Sequence, residues 1–175
     1  AATGEDHSDE VNIRVRDSIK GRALNFVKYL EKNNPKGKWG QFLTPKKDDI
    51  LWERVILTGA SHGSTTASRL AKHTRVARVV ALCGPRDQYQ AWQALPSKTP
   101  ENRFFGFSHT KDMGWEEFHY QRSWEMLGLH KFGPIIVVDE NKPPYANTRR
   151  LVTNFDVKND SNRAHSSVTP GSRSF

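Results

Sequence analysis

Short runs of apolar, β-branched or aromatic residues recur along the chain at residues 54–58, 77–83, 103–107 and 134–139, with a long gap after each. Parallel strands cannot be joined by a tight turn; they need a crossover of roughly a dozen residues or more, usually a helix. The gaps carry that pattern. Residues 64–73 place Ala67, Leu70 and Ala71 on one side of a helix. Residues 115–129 are amphipathic, with Trp115, Phe118, Trp124, Met126 and Leu127 spaced to cover a sheet. Strands alternating with helices predict the α/β class, with a mainly parallel sheet flanked by helices. The run at 54–58 leads into Gly59 and predicts a buried strand, and 134–139 is the last clear strand.

Ahead of these runs, Asp17 or Ser18 can cap a helix in which Ile19, Ala23, Phe26, Val27 and Leu30 recur at steps of three and four. That stripe is expected to face a core, and Asn33, Asn34, Pro35 and Gly37 end the helix. Residues 1–10 are polar and acidic and predict a disordered tail, as does the Ser-rich stretch from Ser166 to Phe175.

Composition excludes several classes. At 175 residues the chain has the length of one domain. No apolar run approaches the roughly 18–20 residues of a membrane span. The single cysteine, Cys83, rules out an internal disulfide and a multi-thiolate zinc site. His7, His73, His119 and His130 lack ligand spacing, so neither a metal nor a cofactor is predicted. Lys and Arg total 27 against 19 Asp and Glu, a net charge of +8 that raises the question of nucleic acid. The cations are scattered, among them Lys36, Lys46, Arg69, Arg78, Arg149 and Arg163, and no nucleic-acid motif accompanies them. A solvated basic face is the preferred reading, with nucleic-acid binding a distant alternative.

The sharpest local feature is Gly59-Ala60-Ser61-His62-Gly63, between a predicted strand and a predicted helix. A serine on such a turn is lifted clear of the sheet, and small residues two before and two after let strand and helix pass closely. The following helix aims free N–H groups at the hydroxyl, so the His62 N–H is a candidate oxyanion donor. Two strand ends supply carboxylates: Asp112, after the 103–107 run, and Asp87, after the 77–83 run. His165 follows in a loop, so Ser61, Asp112 and His165 fall in the order this architecture requires. His109 precedes the acid and reads as a wall or structural histidine.

On Trp52 to Gly63, Cys83 to Asp87, Phe105 to Asp112 and Ala164 to Val168, the chain resembles serine hydrolases of the α/β-hydrolase superfamily, within a little-characterised bacterial and fungal branch. The resemblance implies a Ser61 nucleophile, a His165 general base, an orienting Asp112 with Asp87 as the competing acid, and a small-molecule ester substrate. It divides the chain into a flexible segment at 1–16, the C-terminal portion of a hydrolase domain at 17–170 and a tail at 171–175. The family places earlier strands and a second oxyanion donor ahead of the nucleophile, and only one helix precedes Ser61 here. The elbow strand is therefore expected to be an open edge completed by a separate N-terminal chain, in a processed heterodimer. The small residues Ala1-Ala2-Thr3 fit the end left by removal of a signal or propeptide, which favours a secreted or vacuolar location; Asn159-Asp160-Ser161 fits an N-glycosylation acceptor. The alternative of another class is an inactive hydrolase-fold protein used for binding, defence or storage.

Overall fold

The computed structural model describes residues 2–5, 10 and 12–169. The chain forms two compact units, Ala1–Val55 and Ile56–Phe175. Much of residues 1–10 and all of 170–175 lie outside the described residues.

In the first unit, helix α1 spans Ile19–Asn33. Ser18 caps it by accepting from the Gly21 N–H, and Pro35 enforces the exit. The expected core-facing stripe is only half covered: no residue of α1 is buried, and Phe26 is 60% exposed. The rest of this unit is built from short 3-10 turns at Val15–Asp17, Pro35–Gly37, Trp39–Phe42 and Trp52–Arg54, too little material to cover a fifteen-residue stripe. Leu43, Ile50 and Trp52 are the buried apolar residues here, and Leu43 and Ile50 form an antiparallel bridge.

The second unit is built on a five-stranded, all-parallel sheet, which places it in the α/β class. Its strands are β1 Ile56–Ala60, β2 Arg78–Leu82, β3 Phe104–His109, β4 Ile135–Val137 and β5 Arg150–Thr153, in the order β1-β2-β3-β5-β4. Its helices are α2 His62–His73, α3 His119–Met126 and α4 Ser161–Ser167. Helix α2 crosses back over β1 and β2, burying Ala67, Leu70 and Ala71 against Val79 and Ala81. On the same side Trp124 is fully buried and approaches β3 so closely that a Cβ at Gly106 would meet its indole at 2.4 Å. The other face carries Val80, Leu82, Phe105, Phe107 and Leu151, which line a groove of about 530 Å³.

Four expectations are corrected. The run at 54–58 is not a buried strand: β1 has Ile56 55% exposed and lies at the sheet edge, in keeping with the open edge expected of it, because only β2 pairs with it among the described residues. The run at 134–139 is not the last strand: β5 follows it and inserts between β3 and β4. The amphipathic stretch 115–129 is not one helix. Asp112 accepts from the Gly114 N–H and draws the chain into a 3-10 turn, and Glu117 and Phe118 take left-handed φ of 51° and 59° before α3 begins. Finally, Ser166 and Ser167 belong to α4 rather than to a tail. Among the described residues no helix is long and apolar enough to cross a membrane.

Candidate active site

The carboxyl edge of the parallel sheet gathers the polar residues that matter, as strand ends of open α/β sheets do. Ser61 lies between the end of β1 and the start of α2, at the helix N-cap. Its backbone sits at φ 54°, ψ −121°, a conformation a non-glycine residue holds at a cost of about 1–3 kcal/mol. The surroundings hold it there. The Ser61 N–H donates to Leu82 O at 3.0 Å, extending the β1–β2 ladder, and the buried Ser64 hydroxyl donates to Ser61 O at 2.5 Å. The N–H groups of His62 and Gly63 open α2 and have no carbonyl partner within the helix. The His62 side chain is exposed.

The two glycines of the elbow differ from the sequence expectation. A Cβ on Gly59 would meet the Gly63 carbonyl carbon and oxygen at 2.2 Å, so the strand–helix crossing does demand glycine at 59. A Cβ on Gly63 would meet nothing within 4 Å. Gly63 contributes its backbone to the crossing, not the missing side chain.

Asp112 lies just past β3 and its side chain is fully buried. Three donors surround the carboxylate: the Gly114 N–H at 2.8 Å and the Tyr120 hydroxyl at 3.2 Å on Oδ1, and His165 Nδ1 at 2.8 Å on Oδ2. A carboxylate only accepts, so His165 carries its proton on Nδ1 and the neutral ring presents Nε2 as a free base. The imidazole is 29% exposed, within reach of a solvent-side molecule. The structure thus brings Asp112 and His165 together and places Ser61 on the same sheet edge. No hydrogen bond joins Ser61 to His165 among the described residues. His165 sits on α4 and not in the expected loop; Asp160 caps that helix through the N–H groups of Asn162 and Arg163.

The competing residues have other partners. Asp87 accepts from the Trp92 indole at 2.8 Å, and its N–H donates to His119 Nε2 at 3.3 Å. His109 is buried: Nδ1 accepts from the Lys111 N–H at 2.9 Å, so Nε2 donates to Phe155 O at 2.7 Å. Tyr120 and Trp124 are core residues, whereas Phe118 is 69% exposed.

Sequence reasoning missed the residues that hold the candidates in place. Tyr120 and Gly114 fix Asp112, Ser64 fixes the elbow, and Cys83 touches α4. Asp112-Met113-Gly114 carries a legible signal, a carboxylate placed to cap the turn that follows it. The others depend on tertiary contacts with no local signature.

Burial, and then the negative charge of Asp112, push the Cys83 thiol up to about 12, while a hydrogen bond with Thr169 pulls the other way. The same two causes in the same order push the Tyr120 phenol upward. Cys83 Sγ, an Asp112 oxygen and a His165 ring nitrogen lie within 4.8 Å of one another, a spacing that raises metal binding. The donor set does not suit it. A metal needs the thiolate, which burial and the charge of Asp112 disfavour, and Asp112 Oδ2 already accepts from His165 Nδ1. Comparison with models of known protein families, with curated proteins and with solved structures finds no match.

Proposed function

We propose that this protein is a serine hydrolase of the α/β-hydrolase type that cleaves a carboxylic ester or related acyl bond. The observation that carries the reading is the buried Asp112 carboxylate on His165 Nδ1 at 2.8 Å, at the sheet edge where Ser61 occupies a strained strand-to-helix turn. Serine is inert at neutral pH unless a base takes its proton, and a carboxylate on Nδ1 fixes the tautomer that can do so. In the proposed reaction Ser61 Oγ attacks the acyl carbon as its proton passes to His165 Nε2. The carbonyl oxygen becomes an oxyanion facing the His62 N–H. The tetrahedral intermediate collapses, the C–O bond to the alcohol breaks, and the alcohol leaves with the proton from His165. Water then repeats the sequence on the acyl-enzyme, releasing the acid and restoring Ser61. Asp112 stabilises the imidazolium in both halves.

Labelling with a fluorophosphonate probe, located by peptide mass spectrometry, tests this. Modification of Ser61, abolished in Ser61→Ala and slowed in His165→Ala, is the expected result. Absence of labelling in the intact protein refutes it.

The reading includes a partner. An all-parallel sheet is stable with both faces covered and its edges managed. The exposed β1 edge and the apolar groove on the face of Val80, Leu82, Phe105 and Phe107 support a further polypeptide segment that completes the sheet and supplies the second oxyanion donor. One observation favours a second reading, a non-catalytic binding protein: Ser61 is not hydrogen-bonded to His165. Nucleic-acid binding is the remaining alternative; a steep loss of affinity with salt would support it.

A further inference from the structure

We propose that Cys83 is a positioning residue for His165: its thiol caps the His165 main-chain carbonyl and so holds the imidazole on Asp112. The inference rests on the hydrolase reading for its meaning in catalysis, but its geometry stands without it.

Helix α4 has only seven residues, and the last carbonyls of any helix lack partners within it. The donors that would ordinarily reach the His165 carbonyl are turned elsewhere. The N–H groups of Val168 and Thr169 both go to Ser166 O. Among the described residues the donor to the His165 carbonyl is the Cys83 thiol. Cys83 is itself rigidly placed. It is fully buried and follows β2 directly; its N–H donates to Phe107 O at 2.9 Å, and its backbone takes φ 48°. The strained backbone and the bond to β3 aim the side chain across the sheet edge at α4.

The consequence is a two-point mount. Asp112, from the end of β3, holds the His165 ring; Cys83, from the end of β2, holds the His165 backbone. A side chain fixed at ring and backbone cannot swing away from its carboxylate without breaking one bond or the other. A thiol suits the post because burial beside Asp112 keeps it protonated, so it stays a donor and adds no second negative charge. Displacement of a reacting group by about 1 Å can cost on the order of 10²-fold in rate, which sets the scale of what the mount protects.

The test compares Cys83→Ser, which keeps a hydroxyl donor, with Cys83→Ala, which has none. Cys83→Gly serves as a second donorless variant that relieves the positive φ should Cys83→Ala fold poorly. Two readouts are taken on each: the rate of fluorophosphonate labelling across pH, and the His165 Nδ1–H resonance by NMR. The expected result is a loss of roughly 10²-fold in labelling rate per folded molecule in the donorless variants. The pH midpoint of the base should also shift downward, with the Nδ1–H resonance lost, and Cys83→Ser should restore all three. Unchanged labelling, pH midpoint and resonance in Cys83→Ala would overturn the proposal, as would lower thermal stability alone. If the wild-type protein does not label, the hydrolase reading fails, while the resonance in the three variants still decides whether Cys83 positions His165.

Discussion

The elbow offers the sharpest test of the fold, because its two glycines look equivalent in sequence and are not in space. An added methyl at Gly59 would meet the Gly63 carbonyl carbon and oxygen at 2.2 Å and the Ser64 nitrogen at 2.8 Å, against ordinary contact at 3.4–4 Å. The obstacle is backbone, so no side chain can rotate away. Helix α2 must then move off β1, and the bonds Ser61 makes to Leu82 and Ser64 stretch with it. Overpacking costs about 1–3 kcal/mol and occasionally more, and a backbone obstacle puts Gly59→Ala at about 3 kcal/mol. For a chain of this size each kcal/mol moves Tm by about 2–4 °C, so Tm falls by roughly 6–12 °C. Gly63→Ala meets open space within the first turn of α2 and removes a helix-weakening glycine, a gain of about 0.5–1 kcal/mol. Thermal melts by circular dichroism, with urea titrations at 25 °C, measure both. Equal effects of the two substitutions, or a Gly59→Ala cost below about 0.5 kcal/mol, would refute the argument that Gly59 alone sets the crossing distance.

Asp112→Asn should lower fluorophosphonate labelling by on the order of 10⁴, because an amide can hold the imidazole in the wrong tautomer; an unchanged rate would show that Asp112 does not orient the base. Tyr120→Phe removes one of three donors to a fully buried carboxylate, and urea unfolding should show a loss of about 1.5–3 kcal/mol. The Cys83 thiol rises from its ordinary 9.0 to about 12 on folding. The unfolded chain therefore releases this proton first, and the stability the group contributes is complete below pH 9 and lost as pH rises toward 12. Urea midpoints should fall along this limb, and less steeply in Cys83→Ala. His119 is pushed below its ordinary value by burial, then by Arg86 and Arg122. Its NMR titration midpoint should lie under the usual 6.5, and the Asp87 N–H bond to its Nε2 should be lost as it protonates.

Much of the sheet is legible in the sequence because β2 and β3 each hold an unbroken run of four residues without a polar side chain, Val79–Leu82 and Phe104–Phe107, as buried parallel strands do. Ser61 and Asp112 are legible for the same reason: each lies just past such a run. β5 is harder to see. Of its four residues only Leu151 and Val152 are apolar, too short a run to signal a strand. α4 escapes because Ser-Asn-Arg-Ala-His-Ser-Ser has little intrinsic helix preference; the Asp160 cap and the Cys83 thiol hold it. The break at Glu117 and Phe118 is invisible to periodicity, since it comes from Asp112 capping a turn and from the Trp115 indole donating to His109 O. The register of Asp112 on His165 spans 53 positions of sequence and belongs to tertiary structure alone.

The sheet order also says something about when the site can exist. β5 lies between β3 and β4, although β4 precedes it in the chain. Until β5 enters that slot, β4 has no neighbour in the sheet and the segment bearing His165 has no strand to follow. The Ser61 turn, by contrast, depends on β1, α2 and β2, which are consecutive in the chain and pair at short sequence separation. A chain interrupted before β5 would therefore carry the Ser61 turn without His165, so the two groups that the proposed reaction needs come together only once the last strand is in place.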